Sequence, residues 1–107
     1  MVKVLWLDQA REHVYDIYTY YCNHASVRVA TDLKHEILSS TKQLKMFPHS
    51  GAPEPLAAES DKEYRYVLVR RTWKIIYYVE DNQCVVSCVW DTRNNPELLP
   101  EILFGEA

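Results

Sequence analysis

A chain of 107 residues fits one domain, spanning positions 1–107, and not two. Its 48% apolar and 25% charged content is that of a core with a solvated surface, which excludes a disordered chain. The two glycines, Gly51 and Gly105, lie too far apart to build a phosphate-cradling loop. Twelve basic against fifteen acidic residues leave a net charge of −3, which argues against a surface that coats nucleic acid and leaves room only for a local basic patch.

A domain of this length buries about two thirds of its unfolded surface, enough for a core without metals or disulfides. Three cysteines, Cys22, Cys84 and Cys88, are too few and odd in number for a secreted disulfide framework. Cys84 and Cys88 fall on one predicted strand, on one face and about 13 Å apart, too far to bond. The opening Met1-Val2-Lys3 carries a charge at once, and no apolar run approaches the roughly 18 residues that span a bilayer. A reduced, cytoplasmic protein without membrane contact is the expectation. His13, His24, His35 and His49 are scattered without ligand spacing, so neither a metal nor a cofactor is expected. His13 and His35 also fall outside the apolar stripes of their helices, which predicts a solvated surface for both.

Val2–Leu7 alternates as a strand, with Val2, Val4 and Trp6 facing inward. Asp8 then stands as an N-cap, and Ala10, Val14, Ile17 and Tyr21 recur at helical spacing to about Asn23. Ser26 caps a second predicted helix running to Met46, with Ala30, Leu33, Ile37 and Leu44 as its stripe. The short connection between the two predicts an antiparallel helical hairpin. Pro48 closes the second helix and opens a proline-rich loop through Pro55. Tyr64–Val69, Trp73–Glu80 and Cys84–Asp91 are rich in Val, Ile, Tyr and Trp, and the gaps between them predict a three-strand antiparallel meander. A short helix or tail follows Pro96. The fold class is α+β, in the order β-α-α-β-β-β, with the helical hairpin packed on a small, mainly antiparallel sheet. Periodicity does not settle where the first strand joins.

This order, with its residues, resembles the RelE/ParE superfamily of toxins from bacterial type II toxin–antitoxin modules, some of which are described as plasmid-stabilisation proteins. The resemblance rests on Trp6 and Ala10, then on Ala30, Ile37, Leu44, Pro48 and Gly51. Its most specific parts are Tyr64-Arg65-Tyr66-Val67-Leu68, Ile75-Ile76-Tyr77-Tyr78-Val79, and Asp91-Thr92-Arg93-Asn94-Asn95-Pro96. It implies a cognate antitoxin as partner, within a toxin–antitoxin hetero-oligomer or a homodimer. RelE-like members cut messenger RNA on the ribosome, whereas ParE-like members poison DNA gyrase by binding.

Arg65 and Arg93 match family arginines and are the candidate catalytic residues. RNA cleavage needs cations on the developing phosphorane charge, together with an acid and a base. Each arginine has a structural alternative, Arg65 in a carboxylate pair at the core edge and Arg93 in a pair with Asp91 or Glu97. Arg70, Arg71, Trp73, Lys74 and Tyr78 form a basic and aromatic stretch that suits phosphate contact, base stacking or antitoxin binding. The same residues also suit a soluble hairpin. The approach to Arg65 is acidic, with Glu54, Glu59, Asp61 and Glu63, and lacks the lysines of RelE-like members. The tail after Arg93 has no Tyr, His or Lys to act as a terminal acid, which leaves only Glu54 or Glu63 as base and His49 as acid. The resemblance is therefore closer to the ParE branch and implies a gyrase-binding toxin rather than an enzyme. A ribosome-dependent endoribonuclease, or a non-toxic binding relative, is the alternative. Tyr15, Tyr18, Tyr20 and Tyr21 spread aromatic surface around the first helix, beyond its core stripe, as for a second interface.

Overall fold

The computed structural model describes residues 1–105. The chain runs β1 (Lys3–Trp6), α1 (Asp8–His24), α2 (Val27–Ser39), β2 (Ala52–Pro53), β3 (Tyr64–Val69), β4 (Trp73–Glu80), β5 (Gln83–Asp91) and α3 (Leu99–Phe104). Short 3₁₀ turns lie at Lys42–Lys45, Pro55–Ala57 and Pro96–Leu98. One five-stranded sheet has the order β1-β5-β4-β3-β2, with β1 parallel to β5 and every other pair antiparallel. The expected α+β fold is present, and β1 finds its place at the edge beside β5.

Helix starts and stops follow from local hydrogen bonding. Asp8 is the first helical residue rather than the cap, because the Leu7 N–H is still bonded to Val86 O in sheet fashion and α1 begins directly after it. Ser26 does cap α2, its Oγ accepting from the Val29 N–H. The predicted long helix to Met46 instead ends at Ser39. The hydroxyls of Ser40 and Thr41 donate to Ile37 O and Leu38 O, competing for carbonyls that a continuing helix would need. The 3₁₀ turn that follows still delivers Leu44 to the core, fully buried.

The sheet is covered on both faces. The α1–α2 hairpin packs Ala10, Val14, Leu33 and Ile37 against Val69, Trp73, Ile75, Tyr77, Cys84 and Val86. On the opposite face, α3 and the Pro55–Ala57 turn bring Leu99, Leu103 and Ala57 onto Tyr64, Ile76, Cys88 and Trp90. A β-bulge decides which β5 residue faces which layer. Pairing steps from Ile76↔Cys88 to Tyr77↔Val86, leaving Ser87 as an extra residue. One extra residue reverses the alternation, so Cys84 and Cys88 lie on opposite faces rather than sharing one. Both are free and buried. Burial pushes both thiols up, Cys88 to about 12, which leaves neither a nucleophile.

The proline-rich loop carries more structure than its composition suggests. Ala52 and Pro53 form the edge strand β2 against Tyr66 and Arg65, a position where proline removes no ladder bond the sheet needs. Tyr77 Oη pins the loop from beneath, donating to Pro48 O at 2.8 Å and accepting from the Gly51 N–H at 3.0 Å. A Cβ at Gly51 would lie 2.7 Å from both Tyr66 O and Tyr77 Oη, so only glycine fits there.

Candidate functional site

The cationic residues read from the sequence do not form one patch. Arg65 lies on β3 opposite Tyr77, four residues along β4 from Trp73, and Trp73 in turn pairs with Asp91. Four strand residues separate the two arginine neighbourhoods by about 13 Å along the sheet. Arg65 and Arg93 therefore stand at opposite ends and do not clamp one phosphate together. Lys74 and Tyr78 belong to the α3 side of the sheet, while Trp73 is buried on the hairpin side.

Of the five cations singled out in the sequence, Arg65, Arg70, Lys74 and Arg93 are engaged in ion pairs within the fold. Arg65 Nε and Nη2 bond Glu63, and Nη1 donates to His49 O and Gly51 O, so four of its five N–H groups are used. His49 Nε2 stands 3.9 Å from the other Glu63 oxygen. Acid, base and guanidinium thus do meet at this end, but the guanidinium is spent on the loop and the carboxylate. Arg70 pairs with Glu36 of α2 at 2.7 Å. Lys74 reaches the wholly buried Glu54 at 2.8 Å and lies over the Tyr66 ring. Glu54 Oε2 also accepts from the Leu56 N–H, capping the turn it precedes, so it is a structural carboxylate rather than a general base. Lys62 lies over the Tyr78 ring, which packs edge-on against Tyr64. Arg71 alone of the arginines and lysines from position 65 to 74 has no ion pair among the described residues.

The other end of the sheet gathers Trp73 and Arg93 around a cleft of about 670 Å³. One wall is α1, with His13, Tyr20, Tyr21 and His24; the other is Asp91, Arg93 and Asn94. Arg93 is two-thirds exposed and held in plane by Asp91, with Nε and Nη2 each on one carboxylate oxygen. Its guanidinium carbon lies 5.9 Å from the centre of the Trp73 ring. Those bonds hold the Asp91 carboxyl below its ordinary value and make the Arg93 guanidinium harder to deprotonate. His24 stacks on Tyr20 with ring centres 4.1 Å apart.

His13 is half-buried and structural, which corrects the expectation of a solvated side chain. β1 ends opposite Val86, so β5 would run on with a bare edge. Two side chains one helical turn apart take over: Gln9 Nε2 donates to Ser87 O at 3.1 Å, and His13 Nδ1 accepts from the Val89 N–H at 3.1 Å. Periodicity could not disclose this, because it marks apolar stripes and both residues are polar. Burial lowers the His13 pKa, with Asp16 and Glu12 opposing the shift. The unfolded state then binds more protons than the folded one below the unperturbed value near 6.5, so stability falls as pH drops through that region. In denaturant melts, His13→Asn, whose side-chain oxygen can replace Nδ1 as acceptor, is expected to flatten this acid-side loss. An unchanged pH profile would assign the loss elsewhere.

Among the described residues, Arg65 meets His49 and Glu63 at one end of the sheet and Arg93 meets Asp91 at the other, each guanidinium bonded to a carboxylate. The chain matches the family model described as ParE toxin of type II toxin–antitoxin system, parDE, over residues 4–96, and belongs to that family. Among solved structures it is similar to one titled "Chromosomal ParDE TA system from P. aeruginosa", with a TM-score of 0.72 at 17% identity. That match covers 85% of this chain and 96% of the other, and at this identity it shows the shared fold. No curated protein matches the chain.

Proposed function

We propose that this chain is the toxin of a type II toxin–antitoxin module, that it acts by binding DNA gyrase, and that a cognate antitoxin neutralises it. The observation that carries the reading is the occupation of Arg65 by Glu63 and two loop carbonyls, with Lys74 likewise held by Glu54. A phosphoryl-transfer site needs free cations that strengthen their hold as charge develops. Here the cations at the family positions are already spent, and the family resemblance that remains is to members that bind.

An antitoxin finds an apolar groove of about 410 Å³ between α1 and α2. Trp6, Val14, Tyr15, Tyr18 and Leu38 line it, with Arg11 and Lys34 at the rim. Tyr15 is 68% exposed there, so the aromatic surface noted on the first helix has a receiving geometry. The groove suits an apolar segment with acidic flanks that orders on binding.

The deciding experiment is induced expression in a bacterial host, alone and with the neighbouring reading frame. The expected result is growth arrest rescued by the neighbour, with intact mRNA and trapped gyrase cleavage complexes. Arrest with mRNA cut inside translated frames would transfer the function to the His49–Glu63–Arg65 end and make the protein a nuclease. No arrest, with folded protein present, would leave a binding relative without toxicity.

A further inference from the structure

The two edges of the sheet are finished differently. At one, β2 is two residues long and contains Pro53, which blunts it against further pairing. At the other, β1 is the outermost strand and reads Lys3-Val4-Leu5-Trp6. The Lys3 and Leu7 N–H groups bond Asn82 O and Val86 O, and the register places Leu5 in the same phase. In a parallel ladder alternate residues turn both backbone groups to the neighbour, so Val4 and Trp6 turn theirs outward. No strand lies on that side, and the turns and loops of the described residues reach it only at Val2, whose N–H donates to Lys45 O at 3.1 Å. Side chains alternate likewise. Val2, Val4 and Trp6 pack toward the helical hairpin, and Trp6 lines the groove between α1 and α2. Leu5 and Leu7 fall on the opposite face, 43% and 37% exposed.

We propose that the β1 edge takes an extended segment of the antitoxin as a further strand of the sheet, with apolar side chains in the Trp6 groove and carboxylates on the cations around it. The inference rests on the antitoxin reading for the partner, and on the edge itself for the manner of binding. A strand suits both surfaces at once. Its alternate side chains meet Trp6, Tyr15 and Leu38 on one face and Leu5 on the other, whereas a helix laid in the groove covers one face only. Its backbone supplies the partners that Val4 and Trp6 lack. The surrounding charge selects its flanks. Arg11 and Lys34 line the groove with no carboxylate among the lining residues, Lys3 is exposed on β1, and Lys45 stands at its start. None of these four is in an ion pair among the described residues. A second copy of this chain would set the same four cations against these four, which disfavours self-pairing across the edge.

The test is hydrogen exchange and binding with the purified protein of the neighbouring reading frame. The Val4 and Trp6 amides should exchange freely in this protein alone and become protected in the complex. Val4→Pro deletes one outward N–H and leaves the β5 ladder intact, so it should keep a cooperative melt and weaken the complex about tenfold or more. Arg11→Glu/Lys34→Glu should weaken it to a similar degree, most steeply at low salt, while Arg28→Gln, outside the groove, changes it less than about twofold. If Val4→Pro does not fold, the exchange pattern of the wild-type complex and the charge variant decide. A tight complex in which both amides still exchange freely overturns the added strand and leaves the antitoxin reading standing. Protection at both amides with the charge variant binding as tightly as wild type overturns the acidic occupant. Amides already protected in the free protein, increasingly so with its concentration, would give the edge to a second copy and overturn the proposal. No binding by the wild type defeats the antitoxin reading and the proposal together.

Discussion

Lys74→Met is expected to destabilise the protein by about 3–5 kcal/mol, a large share of the roughly 5–15 kcal/mol that holds a domain of this kind together. The reason lies across the sheet. The Glu54 side chain is fully buried, its Oε1 is held by Lys74 at 2.8 Å, and its Oε2 caps the Pro55–Ala57 turn. Removing the ammonium leaves a carboxylate out of water with one neutral donor, and a buried charge without its partner is far more costly than the pair was stabilising. The double variant Lys74→Met/Glu54→Gln should recover most of the loss, because the amide still accepts from Leu56 N–H and carries no charge. Urea denaturation of both proteins measures this. A single variant within 1 kcal/mol of wild type, or a double variant no better than the single, would show that Glu54 is not a buried charge.

That pair also shows where sequence reading ends. In the sequence, Glu54 reads as part of an acidic approach to Arg65 and as a candidate base. Lys74 appeared as part of a basic stretch. They are twenty residues apart, and nothing local to either signals that β2 and the turn after it fold the carboxylate beneath the lysine. The regular elements were legible for the opposite reason. Ala10 and Val14, then Ala30, Leu33 and Ile37, recur at spacings that only a buried helical stripe explains, and all five are buried. The three long strands appear where Val, Ile, Tyr and Trp cluster, within one residue of their observed bounds. Errors arose where one side chain overrules periodicity: hydroxyls at Ser40 and Thr41 ending α2, and an extra residue at Ser87 reversing the faces of β5.

The site was legible in its members and not in their grouping. Alternation along a strand tells which residues share a face, but not which end of the sheet is free. Trp73 and Arg93 come together because the β3–β4 turn lies beside the end of β5, with Thr92 N–H on Thr72 O at 2.8 Å. Lys74 and Tyr78, their neighbours in sequence, are carried to the other layer. His13 and Gln9 stayed silent because their role depends on where β1 stops.

Arg65→Met is the second large effect, expected at roughly 2–3 kcal/mol of stability. The ion pair with Glu63 is a minor part of this, since Glu63 is 55% exposed and such pairs contribute little. Most comes from the carbonyls of His49 and Gly51, which Arg65 Nη1 bonds at 3.2 and 2.7 Å, because Gly51 is buried and its oxygen loses a charged donor. Arg65→Lys should restore only part of the loss, for an ammonium cannot serve two carbonyls and a carboxylate in one plane. The consequence for toxicity separates the two roles open to this arginine. A structural Arg65 weakens growth arrest only through the folded fraction, so arrest by Arg65→Met should return in cells grown at lower temperature, as the folded fraction and the protein level recover together. A catalytic Arg65 would leave a folded protein that stays harmless at every temperature, with its mRNA cleavage gone. The four committed N–H groups around the loop favour the first outcome, since a guanidinium that lets go of Gly51 to hold a phosphate would release the segment that carries Glu54 and, through it, Lys74.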